Sequence, residues 1–505
     1  MGKTKGLIAT GHPATAEAAA IALRAGGNAF DAAISAFMAS FIAEPGMSSV
    51  GGGAFLAACK NDGTALIYDF FVQTPQHKRP IEEIEFLPVE LDFGTAKETF
   101  HVGMGSVGVP GSVAGIFKMH SDLASLPMGI LAEPAIELAR KGVVVDHSQD
   151  HDFHLLEPIL ALSKSSPVFW RNGQLLGEGD MMYMPELAEC LEMLIREGAD
   201  AFYQGEVGKH LLAINKEKGG HLTQKDLSEY RVSIHKPLEF FFRDRRIVTN
   251  PLPSLGGSLI AIALKLLETK GSVNYAPSGR EHVERLMEVC SVLDTIPRTP
   301  GGLAKELARW FPDSDSPVKT HSTKIGGTSH ISIMDGDGNA AAISTSNGEG
   351  CGHFIPNTGI FLNNMLGESA LLPGGIHSWE ENVRLGSMMS PTVVFDHKGR
   401  TEMVLGSGGA GRIPSMIAQV IHYVVDHGLE ITEAVSAPRL HWIDGVCNLE
   451  PGLCKEVRAP RSLIKMLPWE KQSLYFGGVH AILRRGETMD GEGDRRRGGV
   501  ILRVD

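Results

Sequence analysis

The residues best placed to do chemistry are Thr328 and the two glycines before it, in the run Gly326-Gly327-Thr328-Ser329-His330-Ile331-Ser332-Ile333-Met334. Gly-Gly reaches strained and positive-φ conformations closed to other residues. A peptide bond in such a conformation can turn its carbonyl toward the hydroxyl of the next residue. Attack of Thr328 Oγ on the Gly327 carbonyl gives an ester, and hydrolysis of that ester leaves Thr328 as a new N-terminus. A threonine with its own free amine is nucleophile and base in one residue. Because an α-amine has a pKa of about 7.7–8.0, it can accept the hydroxyl proton near neutrality without a histidine. The same residues also fit an ordinary hairpin after a loop, and locally both readings stand.

The hairpin is what must position that threonine. Asp335-Gly336-Asp337-Gly338-Asn339 supplies the left-handed backbone of a tight reversal. Ile331 and Ile333 alternate with His330, Ser332 and Met334, and the return arm Ala340 to Ser346 is small and apolar, so both arms read as strands. A reversal centred on Asp337 pairs Ile333 with Ala341, His330 with Ser344 and Thr328 with Ser346. A second hydroxyl therefore stands beside Thr328 at the open end. The preceding stretch 312–327 is polar and rich in Pro and Ser, as an exposed mobile segment is, and it ends at the scissile bond.

A second stretch, Gly406-Ser407-Gly408-Gly409-Ala410-Gly411, lies between a strand over 401–405 and a helix whose Ile413, Ile417, Val420, Ile421 and Val424 share a face. Strand, glycine loop and helix N-terminus bring free N–H groups to one point, which suits either an oxyanion hole or a merely tight turn. Nearer the start, residues 14–25 read as a helix stopped by Gly26-Gly27, and Asn28 caps a second helix with Phe30, Ile34, Phe37 and Phe41 on one stripe. The triple glycine 51–53 precedes a strand, so close backbone packing explains it better than a phosphate cradle. The middle, 127–315, reads as mostly helical.

At 505 residues, 43% hydrophobic and with a formal charge of −12, the chain has ample core and a balance unsuited to nucleic acid or acidic membrane. Arg495-Arg496-Arg497 is too short to offset this and reads as a solvated or ion-pairing cluster. Six scattered cysteines without a CxxC pair suggest neither a zinc site nor a disulfide framework. With no apolar stretch of signal or membrane-span length, a cytoplasmic setting is expected. HExxH, GxSxG and a Rossmann fingerprint are absent, and the histidines show no ligand spacing, so no metal or cofactor is expected.

In order along the chain, GHPATAEAAAIALRAGGNAFDAAISA, EPGMSSVGGGAF, GVPGSVAG, EPAIELARKGVVV, GGHLTQKDLSEY, TSHISIMDGDGNAAAIST, PNTGIFLNN, SMMSPTVV, GSGGAGRI, AVSAPRLH and FGGVHA resemble the γ-glutamyltransferase (glutathione hydrolase) family of N-terminal-nucleophile hydrolases. The resemblance implies an α+β fold, a four-layer αββα sandwich made as one precursor. It implies self-cleavage at Gly327–Thr328 into fragments 1–327 and 328–505 that stay together as a heterodimer. It also implies a small-molecule amide substrate, γ-glutamyl or a related acyl amide, with water or an amine as acceptor.

Thr328 maps onto the family nucleophile and Ser346 onto a hydroxyl that supports it. Gly409 and Ala410 map onto the oxyanion pair, and Ser387 onto the first of two pocket serines. The departures concern the substrate. Phe71 replaces a carboxylate-binding Arg, Met388 the second pocket serine and Gly348 a pocket Asn. Glu368 stands where an Asp holds the substrate ammonium. An aromatic ring cannot replace a bidentate guanidinium, so a glutaryl-type or cephalosporin-type acylase, or a non-catalytic binding relative, are the competing expectations.

Overall fold

The computed structural model describes residues 4–92, 97–311, 327–368 and 375–505. Gly326 and the expected mobile segment up to it lie outside the described residues. Two antiparallel sheets are built from β1 (Gly6–Thr10), β2 (Gly53–Cys59), β3 (Ala65–Phe70), β4 (Ser233–His235), β5 (Leu238–Phe242), β6 (Arg245–Thr249), β7 (Ser329–Asp335), β8 (Ala340–Ser346), β9 (Thr392–Phe395), β10 (Thr401–Gly408), β11 (Gly478–Arg485), β12 (Thr488–Glu492) and β13 (Val500–Val504). The first sheet has seven strands in the order β4-β3-β2-β8-β7-β1-β13, and the second has six in the order β5-β6-β9-β10-β11-β12. The helices that bear on function are α1 (Pro13–Arg24), α2 (Ala29–Ala43), α3 (Met128–Lys141), α4 (His147–Leu160), α5 (Gly256–Thr269), α6 (Arg280–Asp294) and α7 (Ile413–Val425).

The hairpin β7–β8 forms in the expected register, with Ile333 opposite Ala341 and His330 opposite Ser344. Its turn is held by Asp335, whose carboxylate accepts the N–H groups of Asp337 and Asn339, and Gly338 takes φ +94°. The other oxygen of Asp335 accepts the N–H of Ala29, tying the turn to the start of α2.

Side chains alternate across a strand, and the two faces of this hairpin go to different cores. Ile331, Ile333 and Ile343 pack with residues of α1, α2 and α3. Met334, Ala340 and Ala342 pack with Val404, Leu405 and Ala481 of the second sheet. By the same alternation Thr328, His330, Ser344 and Ser346 face the second sheet. The packing agrees, since a Cβ placed on Gly406 of β10 would stand 2.2 Å from the His330 ring.

Asn28 caps α2 through a reciprocal capping box with Asp31, as the sequence predicts. Every residue of α2 is buried, so the apolar stripe is one side of a helix enclosed all round. A Cβ on Gly51, Gly52 or Gly53 would lie within 2.8 Å of a backbone oxygen, which bears out close packing as the reason for the triple glycine. The middle is mostly helical, as expected, but strands interrupt it. β5 and β6 form a hairpin at the edge of the second sheet, with Leu238, Phe240 and Phe242 buried and Glu239 and Phe241 exposed.

Candidate active site

Thr328 lies just before β7, 3% exposed, and Ser346 is the last residue of β8. The Ser346 hydroxyl donates to the Gly327 carbonyl oxygen at 2.5 Å and accepts the Gly348 N–H at 3.0 Å. The expected scissile carbonyl is thus polarised by a donor that is itself polarised from behind. Next to Thr328, the Ser329 hydroxyl donates to Glu44 at 2.5 Å, fixing the start of β7 against the end of α2.

Gly348 is held at φ +64°, and a Cβ there would meet Asn364 Oδ1 at 2.0 Å and Glu368 Oε1 at 2.3 Å. Ser346, Gly348 and Glu368 are therefore one cluster. Glu368 is 2% exposed and its Oε1 has no hydrogen-bond partner. Burial first, then the neighbouring Glu349, pushes its carboxyl well above the usual range. Glu349, which sequence reasoning missed, is also buried. Burial and then Asp152 raise its carboxyl to about 7, against the opposing pull of Arg497 and of the Gly327 N–H. Gly327 is thereby gripped from both sides, its carbonyl by Ser346 and its N–H side by Glu349.

The glycine loop after β10 closes the site from the second sheet. A Cβ on Gly408 would stand 2.2 Å from the Thr328 carbonyl oxygen, so only glycine permits that approach. Gly409 (φ +106°) and Ala410 (φ +49°) are both left-handed. For Ala410 this costs about 1 kcal/mol, strain of the kind that concentrates at functional turns. Gly327 opens onto a cleft lined by Met47, Asp152, Leu155, Glu349, Arg412 and Arg497.

The sequence model of the family described as gamma-glutamyltranspeptidase matches residues 15–293 and 304–504. The chain belongs to that family. Membership makes it an enzyme of the N-terminal-nucleophile hydrolase type. It is 28% identical to the glutathione hydrolase proenzyme of Escherichia coli (strain K12), across 94% of this chain and 88% of that one. Identity to the acylase ACY 1 proenzyme of Pseudomonas sp. (strain SE83) is 29%, across 90% and 85%. A solved cephalosporin acylase from Bacillus halodurans shares the fold with a TM-score of 0.81 at 21% identity, covering 99% of this chain and 96% of that one.

Of the positions expected from the sequence to meet substrate, Gly348 and Glu368 adjoin Ser346, as described. Phe71 and Met388 belong to the second apolar core, and the Phe71 backbone adjoins Gly53, the strand partner of Ser346. Phe71 is 1% exposed, and its ring lies 5.3 Å from that of Phe55. Met388 is buried in the same core, while the Ser387 hydroxyl accepts the Met389 N–H at 3.0 Å.

A half-buried Arg384, invisible to motif reading, reaches the Phe71 carbonyl and the Tyr230 hydroxyl and lies 3.5 Å from Asp69. A guanidinium is therefore present beside position 71, with Nη1 and Nη2 bonded to protein groups and Nε without a hydrogen-bond partner. Of the arginine triplet, Arg496 proves to be a buried ion-pairing residue, bonded to Glu450 and Asp494.

Among the described residues, His282, His422 and His427 converge closely enough to hold a metal ion. Spacing could not reveal them, because two helices supply them. No helix among the described residues is long and apolar enough to cross a membrane.

Proposed function

We propose that the chain is a proenzyme that severs Gly327–Thr328 and then acts as an N-terminal-threonine amidohydrolase or acyltransferase on γ-glutamyl (glutathione-like) or related acyl amides. The observation that carries this reading is the 2.5 Å hydrogen bond from Ser346 to the Gly327 carbonyl oxygen, with Thr328 buried alongside.

Thr328 Oγ adds to the Gly327 carbonyl carbon while Ser346 stabilises the charge growing on the oxygen. The C–N bond breaks, the Thr328 nitrogen takes up the proton, and water hydrolyses the ester to a Gly327 carboxylate and a free Thr328 amine. In the mature enzyme Oγ attacks the substrate amide, and the amine accepts its proton and passes it to the leaving amine. Ser346 supports the nucleophile, and the Gly409 and Ala410 N–H groups take the tetrahedral oxyanion. Water or an amine acceptor then releases the acyl group.

The fragments 1–327 and 328–505 stay paired because β1 and β2 from one and β7 and β8 from the other share a sheet. The four-layer αββα arrangement is part of the same reading, supported by α1–α3 on the far side of the first sheet and α5–α7 around the second. A reducing cytoplasm suits six unpaired cysteines.

Denaturing electrophoresis with N-terminal sequencing tests the proposal. Two fragments, one starting at Thr328, are expected, and Thr328→Ala stays whole. An active protein with residues 327 and 328 still joined overturns it. An acylase with altered acyl preference is the second reading, favoured by the apolar Phe71 and Met388, and a panel of acyl anilides separates the two.

A further inference from the structure

On the helices of the second sheet, away from Thr328, stand three histidines that the reaction above does not use. His282 on α6, His422 on α7 and His427 just beyond α7 each bring a ring nitrogen within 4.8 Å of the others. His282 and His422 are buried, while His427 keeps some contact with solvent.

Hydrogen bonding decides which nitrogens hold lone pairs. The Tyr423 hydroxyl donates to the Pro438 carbonyl at 2.8 Å, so it accepts from His282 Nε2 at 3.1 Å. The proton of His282 then sits on Nε2, and Nδ1 is bare. His422 Nδ1 donates to Asp426 at 2.7 Å, which leaves Nε2 bare, and that buried nitrogen has no hydrogen-bond partner. His427 Nε2 lies 3.1 Å from His282 Nδ1. Two imidazole nitrogens this close share either a proton or a cation.

We propose that His282 Nδ1, His422 Nε2 and His427 Nε2 form a binding site for a divalent transition metal, Zn2+ above all. Neutral imidazoles suit that ion. The outer groups have the form that orients metal-bound histidines, with the Asp426 carboxylate on His422 and the Tyr423 hydroxyl on His282. Asp426 is itself fixed by Arg243 at 2.7 Å. The solvent contact of His427 gives the ion its way in and leaves room for a water as a further ligand.

His282 precedes the Gly327–Thr328 bond, whereas His422 and His427 follow it. Resting on the self-cleavage reading, the metal then staples the large fragment to the small one through α6 and α7.

The test uses untagged protein stripped with a chelator, both as wild type and as Thr328→Ala, titrated with Zn2+ by calorimetry and with Co2+ by visible absorption. One equivalent of Zn2+ is expected in both forms, with the intense visible bands of low-coordinate Co2+. His427→Ala and His282→Asn should each weaken binding about 100-fold or more, since loss of an outer partner alone costs up to about 100-fold. In the cleaved form, Zn2+ should raise the temperature at which the fragments separate, and His427→Ala should abolish that rise. Zn2+ binding unchanged in both variants, or absent from the wild type, overturns the proposal. Because binding is read in uncleaved Thr328→Ala as well, failure of the site is distinct from failure of self-cleavage.

Discussion

The hydroxyl of Ser346 sits on the carbonyl oxygen of Gly327, 2.5 Å away, while it accepts the Gly348 N–H. This places a donor where negative charge develops when Thr328 attacks its own preceding peptide. Loss of one such donor costs about 100-fold or more in rate. Ser346→Ala should therefore slow the appearance of the two fragments by about that factor, and Ser346→Thr should restore most of it. Electrophoretic time courses on freshly made protein measure both. Maturation of Ser346→Ala at the wild-type rate removes Ser346 from the cleavage step.

Gly348 offers a test of the same cluster by crowding. At φ +64°, with Asn364 and Glu368 oxygens 2.0 and 2.3 Å from where a Cβ would sit, the position excludes any side chain. Gly348→Ala pays about 1 kcal/mol for the backbone alone, plus displacement of two buried polar groups. It should lower the melting temperature by several degrees and retard cleavage, because the Gly348 N–H that polarises Ser346 moves with it. Gly348→Asn, the residue the family carries there, should do the same in this chain. Full stability and full maturation of either variant refute the packing argument.

The hairpin was readable because its two signals agree. Alternation sets the faces, and Asp335 to Asn339 set the reversal, so the register of His330 and Ser344 follows by counting. The hairpin of β5 and β6 hid from the same method. Its apolar run Phe240-Phe241-Phe242 masks the alternation, and its turn uses Arg243 at φ +56° where a glycine or asparagine would have marked it. Hairpin counting set Ser346 beside Thr328 and motif resemblance pointed to Gly348 and Glu368, and the fold gathers these residues around Gly327. Glu349, Asp152 and Arg497 were not legible, being single charges on separate elements with no spacing rule to join them. The histidine cluster was hidden for the same reason, with His282 contributed by a distant helix and His422 and His427 off helical ligand spacing.

The buried carboxyls of Glu349 and Glu368 contribute a stability that is lost as pH rises through the acidic range. The buried histidines His221, His441 and His480 act with the opposite sign, their lowered pKa values favouring the folded state as pH rises. Glu349 titrates at about 7 in the folded chain, Glu368 is shifted further in the same direction, and both titrate near 4 when unfolded. Between those values the folded state keeps protons that the unfolded state releases. Unfolding free energy therefore drops by up to about 1.4 kcal/mol per pH unit for each group, from about pH 4 to about pH 7 for Glu349. Glu44 and Asp152, also raised to about 7, keep more solvent contact and add less. Urea unfolding of the single-chain Thr328→Ala protein at pH 5, 6 and 7.5 measures the slope. Subtracting the slope of the Glu349→Gln variant isolates the Glu349 contribution, which should be a loss of stability with rising pH; a difference of zero or of the opposite sign contradicts the assignment.

Phe71 decides how the substrate question is put. Its ring packs on Phe55 inside the second apolar core, and Arg384 already holds its carbonyl. Phe71→Arg places a second guanidinium there, near the first. An unpaired buried charge costs about 3 kcal/mol or more, so the single substitution should destabilise the protein before it improves any activity. Phe71→Leu keeps the apolar character and should leave acyl preference unchanged. Turnover of γ-glutamyl and glutaryl anilides by mature wild type, Phe71→Leu and Phe71→Arg, each with its melting temperature, separates specificity from stability. If position 71 sets specificity, the surviving folded fraction of Phe71→Arg shifts toward the γ-glutamyl anilide by about tenfold, the worth of roughly 1.4 kcal/mol of added carboxylate binding. If wild type already prefers that compound strongly, a guanidinium other than residue 71 receives its carboxylate, and Arg384 is the first to replace, by Arg384→Met.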